Sequence, residues 1–488
     1  MTRSDRNDPD LELPIKLGPC SNTEYLPFPL SAVERETIRR TRDAAERHAR
    51  RRGVGRRQFL RSLSGAALML TILDACDRES NGDDRGGGLD IPPDTTDDED
   101  AARDALGGDE FVLDVQTHYL GYDLSQPGDL GIIGSLFPQR DCGEDDPRAC
   151  FSVDNFLQEL FVNSDTTMIV VSAIPIPGDA NPLGIDEMEQ ARTLAERVCG
   201  DGRVLLHGGV LPTVGDLQAN LDGMTALMNE HPIGAWKVYT HTGGPPWWLD
   251  DHDADAAQVG IPFLEQVRES GITTVCVHKG FGGIGGDPEY SSPVDVGPAA
   301  TMNPDIDFVV YHSGFDAGPP EGPYDPGAAD NGVNRLIQSI VDSGIEPNTN
   351  VYAELGSTWR SVMSDPTQAA HVLGKVLTYC GEDNVLWGTD SIWYGSPQDQ
   401  IQAFRAFQIS PEFQEQYGYP ELTDEVKRKI LGANAARLYD VDPVTVKCEF
   451  TPEDLEAARV DAPGVRRTFG PESAAEVRAL VEAHGGIV

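Results

Sequence analysis

The 488 residues of the chain are enough for one large domain with extensions, or for two domains. The 80 acidic residues outnumber the 38 basic ones and give a formal net charge of −42 at pH 7. A surface of that sign repels phosphate backbones, which argues against nucleic acid as a partner. Such an excess of acid is typical of a high-salt habitat or of a high-GC genome, and it does not indicate a fold.

The N-terminal 76 residues precede any barrel-like pattern. Residues 1–50 are polar and charged, and we expect no packed core of their own. The stretch 55–76, GRRQFLRSLSGAALMLTILDAC, resembles a twin-arginine export signal that ends in a lipobox, with Cys76 as the lipidation site. A buried amphipathic helix is the alternative. The prediction is export to the periplasm or cell surface, with membrane contact only through a lipid anchor, because the apolar run is too short to span a bilayer.

Residues 77–109 are rich in Asp, Gly, Arg and Pro and predict an acidic disordered linker. From residue 110 apolar runs alternate with helical patterns, as a parallel α/β fold requires. The eight candidate strands are 111–116, 167–174, 204–211, 233–239, 273–278, 307–312, 350–354 and 384–389. The prediction is a (β/α)8 TIM barrel over 110–445, with long rim loops and a helical C-terminal extension over 446–488. A doubly wound open sheet is the alternative.

Polar residues cluster where the candidate strands end, which an open sheet does not explain. His118 follows the first strand, His278 ends the fifth, His312 ends the sixth and Asp390 follows the eighth. In a barrel the carboxyl ends of all strands meet at one mouth. Imidazole nitrogens and a carboxylate that converge there are ligands for a divalent metal; zinc is favoured, and manganese or iron are the other candidates.

Five sequence pieces carry a family resemblance over about residues 111–440: DVQTH, VHKG, YHSG, LWGTD and ILGANAARLYDV. In this order and at barrel spacing they resemble the amidohydrolase-related family of the amidohydrolase superfamily. That family includes aminocarboxymuconate-semialdehyde decarboxylase, resorcylate-type decarboxylases and several hydrolases. Its members are often dimers, so the resemblance also implies a possible homodimer.

The resemblance implies that His118, His278 and Asp390 are metal ligands and that Asp390 also accepts a proton from water. It implies that His312 is a proton donor or a base that orients the substrate. Members commonly carry His-x-His on the first strand, and here Gln116 replaces the first His. An amide oxygen is a poor zinc ligand. The metal would therefore be held by fewer protein groups, be bound weakly, or be absent.

Further residues near the predicted mouth have two interpretations each. His241 and Trp247 lie on a Pro-rich rim loop that forms either an aromatic wall against the substrate or a hydrophobic plug. Arg360 pairs with a substrate carboxylate or with surface acids. Lys237 pairs with Glu354 or is carboxylated to bridge two metals.

The cysteines have two different expected states. Cys142 and Cys150 lie in one acidic loop and form a plausible disulfide in an exported protein. Cys199, Cys276 and Cys380 lie in apolar settings that indicate buried thiols.

These residues and motifs are compatible with three functions. The first is hydrolysis of a C–N or C–O bond in a small organic substrate by metal-activated water. The second is non-oxidative decarboxylation of an aromatic or unsaturated acid on the same site. The third, motivated by Gln116, is a surface lipoprotein that keeps the barrel as a binding module.

Overall fold

Eight parallel strands follow one another around a sheet in the same order as in the chain. The computed structural model describes residues 13–18, 20–27, 29–82, 85–126, 128, 130, 139, 145–178, 181–200, 202–282, 286–446, 451 and 454. The first to eighth barrel strands are Leu113–Thr117, Met168–Val171, Val204–Val210, Ile233–Tyr239, Thr274–His278, Asp307–Tyr311, Val351–Glu354 and Val385–Leu386. Seven lie within the predicted apolar runs and the first extends one residue beyond its run, so the predicted α/β barrel is confirmed.

The sheet closes between the first strand and the segment after the eighth. Val115 N donates to Trp387 O at 3.0 Å, and Asp390 N donates to Gln116 O at 2.9 Å. Inside the barrel, the Tyr311 hydroxyl donates to Val115 O at 2.7 Å. Because the sixth and first strands are not neighbours, this bond crosses the barrel interior. The closed sheet leaves no unpaired edge along most of its length.

Helices cover the outside of the barrel and bury the outward faces of the strands. They begin after the strand-end loops, and several start at a side-chain cap such as Asp216 or Asp365. The helices that cover the barrel are Ile185–Val198, Leu217–Glu230, Gly260–Ser270, Val296–Met302, Asn334–Asp342, Pro366–Tyr379 and Gln398–Ala406. Shorter helices are Val153–Leu157, Thr358–Val362, Pro411–Tyr417, Asp424–Arg428 and Asn434–Leu438.

Three N-terminal helices pack on this barrel: Ala32–Arg51, Arg56–Leu60 and Leu63–Asn81. The first is fixed at its start by a capping box between Ser31 and Glu34. The third buries the apolar run that resembles an export signal, and Leu70 belongs to the same core cluster as the barrel helices. The expectation that residues 1–50 form no packed core is therefore wrong for the part of 13–50 that the structure describes. An apolar helix gains more free energy against the barrel than in water.

This packing corresponds to the buried-helix alternative for 63–81, while export and lipidation stay predictions. Cys76 is buried in the helix as a free thiol. None of the described helices has the length and apolar character that crossing a membrane requires.

The segment predicted as a disordered linker is also structured where it is described. Gly87–Leu89 pairs antiparallel with Phe407–Ile409, and Glu99–Leu106 forms a helix capped by Asp98. The side chain of Asp74 accepts from Leu89 N at 3.0 Å and binds Arg85. Backbone pairing and neutralisation of charge by arginine compensate for the low apolar content that led to the prediction of disorder.

We expect Phe59→Ala to lower the free energy of unfolding by about 3–5 kcal/mol, the usual cost of truncating a buried phenylalanine. Phe59 is fully buried and its ring lies 5.9 Å from that of His48. The exposed neighbour Gln58 provides the control, and Gln58→Ala should change little. Urea unfolding of both variants measures the effect. Equal midpoints for the two variants would mean that these helices do not pack as described.

The cysteines depart from the prediction at one position. Cys150 and Cys199 each take part in a disulfide bond, so the interpretation of Cys199 as a buried thiol is wrong. Cys276 and Cys380 are buried free thiols, as predicted. Cys142 lies outside the described residues, and its pairing with Cys150 stays a prediction. The predicted C-terminal extension also lies outside them, apart from residues 446, 451 and 454.

Candidate functional site

The strand ends bring His118, His278, His312 and Asp390 to one end of the barrel, and each of these side chains is buried. Backbone hydrogen bonds hold His118 next to the segment that follows Asp390. His118 N donates to Ser391 O at 2.7 Å, and Ile392 N donates to His118 O at 3.0 Å. The barrel's closure therefore places His118 beside Asp390.

His118 is held in one tautomer. Its Nδ1 lies 2.7 Å from the carbonyl oxygen of Ser172, which can only accept, so Nδ1 carries the hydrogen. The lone pair of Nε2 is then directed at the site, 3.4 Å from Asp390 Oδ1. The imidazole also stacks on Trp393 at 5.4 Å between ring centroids. Support of this kind, through the nitrogen that faces away from the site, is typical of metal-binding histidines.

His312 is fixed in the same way. Its Nδ1 lies 2.7 Å from the carbonyl oxygen of Gly356, which leaves Nε2 as the acceptor, and its backbone N donates to Glu354 at 2.9 Å. Burial lowers the pKa of His312 to about 4, so the imidazole is neutral at neutral pH. His312 and Asp390 both have φ of 60°, a left-handed conformation that is strained for residues other than glycine. Such strain is concentrated at functional sites.

The Asp390 carboxylate is the most heavily bonded group of the site. Asn22 donates to it at 2.8 Å, Ser357 at 2.7 Å and Gln116 at 3.1 Å. Burial by itself would raise the pKa of this carboxyl, but the nearby imidazoles of His118 and His312 and the hydrogen bond from Ser357 hold it below its ordinary value. Asp390 is therefore ionised at neutral pH.

Residues 20–25, here called the mouth segment, enter the same end of the barrel from the N-terminal extension. Glu24 Oε1 lies 3.3 Å from His278 Nε2, and Glu24 Oε2 lies 3.7 Å from His312 Nε2. Asn22 bridges the carboxylates of Glu24 and Asp390 at 2.7 and 2.8 Å. Burial, followed by the charge of Asp390, raises the pKa of Glu24 well above its ordinary value.

The mouth segment is absent from the residues that the sequence predicts for the site. It lies far ahead of the first barrel strand and carries no motif. The one available signal was Gln116, whose presence in place of a histidine indicates that a donor could come from elsewhere.

Gln116, a doubtful metal ligand on sequence grounds, presents its amide nitrogen rather than its oxygen to the site. Its amide nitrogen donates to Asp390 Oδ1 and lies 3.4 Å from His312 Nε2. Its amide oxygen is buried without a hydrogen-bond partner, on the side of Gly356. The group that could bind a metal is thus turned away, because the Asp390 carboxylate attracts the amide's donor.

Asp114 lies on the first strand, two residues before Gln116, where the alternation of a strand would direct both side chains to one face. In the structure its carboxylate accepts hydrogen bonds from Thr389 N and Gln116 N, both at 3.1 Å. These bonds connect the first strand to the segment after the eighth strand, where the barrel closes. The register between the first two strands shifts after Asp114, which explains why simple alternation fails there.

Lys237 and Glu354 do not form the predicted pair. Lys237 Nζ has no hydrogen-bond partner among the described residues and lies 3.4 Å from the centroid of the Tyr311 ring. Burial lowers the pKa of Lys237 to about 7 and raises that of Glu354 to about 8. Glu354 accepts from the backbone of His312 and Gly356, so it supports His312 rather than Lys237.

The predicted substrate-binding residues separate into three environments. His241 is buried beside the site and stacks on His278 at 4.8 Å. Trp247 packs edge-on against Phe263, so the geometry matches the plug alternative rather than an aromatic wall. Arg360 is buried and donates to Gly18 O at 3.4 Å, so it contacts the N-terminal extension rather than surface acids.

The arrangement of donors fits a divalent metal. Glu24, His278 and His312 each offer one ligand atom, and these atoms lie within 4.8 Å of one another. Two atoms about 2.1 Å from one ion stand about 3.0–3.4 Å apart. The His118–Asp390 separation of 3.4 Å and the Glu24–His278 separation of 3.3 Å both match that spacing. His278 Nε2 is also buried without a hydrogen-bond partner among the described residues, as an unfilled ligand atom would be.

Several solved structures are similar to the chain in fold. An amidohydrolase from Burkholderia multivorans with bound zinc is 14% identical, with 68% of this chain and 100% of that chain covered and a TM-score of 0.40. 5-Carboxyvanillate decarboxylase from Sphingomonas paucimobilis is 15% identical, with 68% of this chain and 99% of that chain covered and a TM-score of 0.40. An uncharacterized TIM-barrel protein from Bordetella bronchiseptica is 13% identical, with 67% of this chain and 98% of that chain covered and a TM-score of 0.45. The barrel assignment rests on the strand order given above and does not depend on these likenesses.

Sequence comparison gives the family. No curated protein matches the chain significantly. The family model described as Amidohydrolase matches residues 189–441, which include His278, His312 and Asp390. Since that match covers more than half of the chain, the protein belongs to the amidohydrolase family and is an enzyme of that family.

Proposed function

We propose that the protein hydrolyses a C–N or C–O bond of a small organic substrate at a metal centre that includes His118, His278 and Asp390. The observation that carries the proposal is the cluster of Glu24, His278 and His312, whose ligand atoms lie within 4.8 Å of one another, together with the His118–Asp390 pair at the same mouth, 3.4 Å apart. A divalent ion bound there, which we propose to be zinc, would lower the pKa of water and polarise a substrate carbonyl. His118 and His278 would offer imidazole nitrogens to it, and Asp390 supplies negative charge.

The proton-transfer roles follow from the hydrogen bonds of His312 and Asp390. His312 Nδ1 is committed to Gly356 O, so Nε2 is the nitrogen that can accept a proton from water. Asp390 is ionised and adjacent, and its bonds to Ser357 and Asn22 hold one oxygen in place. Both groups thus favour removal of a proton, the first requirement of hydrolysis.

Decarboxylation is the second candidate function, because it makes a different demand on the protonation state of His312. Protonating a carbon would require His312 to carry a second hydrogen, on Nε2. Because burial lowers the pKa of His312 to about 4, that form is scarce at neutral pH. Hydrolysis starts from the neutral ring, which accepts the proton, whereas decarboxylation requires the protonated ring to be present first.

A cavity of about 310 Å³ supports a small substrate. It lies against the second, third and fourth strands, and its inner lining includes Lys237 and Tyr239. The Tyr239 ring stacks on His278 at 5.0 Å, so this side chain lies between the cavity and the proposed centre. Its volume lies at the lower end of the range, about 300–1,000 Å³, of small-molecule sites. Lys237 is placed to bind an electron-rich group of a ligand there.

Elemental analysis of the full chain, purified without added metal or chelator, tests the proposal. We expect close to one equivalent of a divalent metal, and loss of that metal in His278→Ala. A screen of esters, lactones and amides should then give turnover, with release of CO2 from aromatic acids as the parallel assay. A parent protein that binds no metal even after reconstitution would contradict the proposal and leave the binding-module interpretation.

A further inference from the structure

The first barrel strand provides one imidazole, and the contacts of the mouth segment indicate what replaces the missing one. Gln116 turns its amide nitrogen toward the centre and its oxygen away. The Glu24 carboxylate instead reaches the space between His278 and His312. A carboxylate oxygen is a good ligand for zinc, manganese or iron, whereas an amide nitrogen is not.

We propose that Glu24, carried by the N-terminal extension, is a permanent ligand of the metal centre and substitutes for the histidine that the first strand lacks. This inference rests on the proposed metal-dependent function. It adds a ligand from outside the barrel, so the strand-end residues alone form an incomplete site.

The separation between the Glu24 carboxylate and His278 Nε2 is the one expected for two ligands of one ion. The two atoms stand 3.3 Å apart, yet His278 Nε2 takes part in no hydrogen bond among the described residues. Two groups that simply attract each other would be expected to align a hydrogen between them. Two groups that bind a common third atom instead approach at this distance without one.

The local charge also calls for a cation. Glu24 and Asp390 are bridged by the single amide of Asn22, so a half-buried and a fully buried carboxylate lie side by side. Lys237 is the cation in the fourth strand, and its nitrogen makes no hydrogen bond or ion pair with either of them among the described residues. Uncompensated buried carboxylates are costly. A divalent ion between them would neutralise both.

The mouth segment and the residues just before it are packed into the fold. Lys16 N donates to Asp399 at 3.0 Å, and Lys16 Nζ donates to Tyr394 O at 2.6 Å. Ile15 is fully buried in the main core cluster. The Tyr25 ring stacks on Phe281 at 5.0 Å, next to Glu24. A plug that leaves for each substrate would have to break all of these contacts, whereas a permanent ligand keeps them.

Metal affinity of full-length Glu24→Gln tests the inference, because glutamine keeps the shape and removes the charge. We expect its Kd for Zn²⁺, measured by chelator competition, to rise about 10- to 100-fold or more, since loss of even a supporting partner of a ligand costs that much. The visible spectrum of the Co²⁺-substituted protein should change as well. Glu46→Gln, at an exposed glutamate of the helix Ala32–Arg51, is the matched control and should keep both values.

A second variant separates coordination from folding. Gln116→His in the Glu24→Gln background restores an imidazole on the first strand, and we expect it to recover at least about tenfold of the lost affinity.

Unchanged affinity and spectrum in Glu24→Gln, with metal lost in His278→Ala, would overturn the role of Glu24 and leave the proposed function intact. Higher activity in Glu24→Gln would also overturn it, since a removable plug behaves in that way. Absence of metal from the parent would overturn both proposals.

Discussion

Asp390→Asn is expected to lower kcat/KM by at least about 10³-fold, within the range that a positioned proton-transfer group contributes. Asp390 accepts from Asn22, Ser357 and Gln116 and lies 3.4 Å from His118. An asparagine must turn its NH2 group toward at least one of these donors, so it loses charge and a hydrogen bond together. Metal content and hydrolysis rate, measured on the same preparation, should fall in parallel.

The control for this variant is Asp307→Asn. Asp307 lies at the start of the sixth strand, at the opposite end of the barrel from His312. We expect this substitution to change neither metal content nor rate. If Asp390→Asn binds metal and turns over like the parent, Asp390 is neither ligand nor base.

His312→Gln is expected to lower kcat by about 10²–10⁴-fold while metal remains bound. His312 is held by Gly356 O and by its own backbone bond to Glu354, so its imidazole is positioned independently of an ion. Glutamine retains polarity at this position, but it cannot accept and release a proton at neutral pH. The expected signature is a low kcat with KM and metal content close to those of the parent.

The matched control is His371→Gln. His371 is also buried, but it lies in the helix Pro366–Tyr379 and bonds the Tyr419 hydroxyl at 3.0 Å. Any general effect of removing a buried imidazole should be visible in both variants. Loss of metal along with activity in His312→Gln would assign His312 to coordination instead of proton transfer.

The barrel could be predicted because each strand is a short apolar run followed by a helical pattern, a signal contained within about 30 residues. The strand-end residues followed from the same logic, since parallel strands must place their carboxyl ends together. His118, His278, His312 and Asp390 are accordingly where the sequence indicated.

The N-terminal extension could not be predicted on the same grounds. An apolar run such as 63–73 has the same local pattern in an export signal and in a buried helix, and only the surface that it contacts distinguishes the two. The role of residues 20–25 depends on partners more than 250 positions away. No pattern within the segment encodes those partners, and Gln116 indicated only that something was missing.

The two interpretations of the N-terminus lead to different mature proteins. Cleavage ahead of Cys76 would remove Asn22 and Glu24 together with the helices that pack on the barrel. If the export prediction holds and the signal is cleaved, the site must work with His118, His278 and Asp390 alone. The role proposed for Glu24 therefore requires that the native chain keep its N-terminal residues.

The position of the mouth segment also sets an order for folding on the ribosome. Asn22 and Asp390 are 368 positions apart, so the first part of the chain to be made bonds to one of the last parts of the barrel. Contacts of such long range form late, because the intervening chain must be closed first. The mouth segment, and the apolar residue Ile15 ahead of it, cannot dock until the eighth strand is in place. Completion of the catalytic centre would then be among the final events in the protein's synthesis.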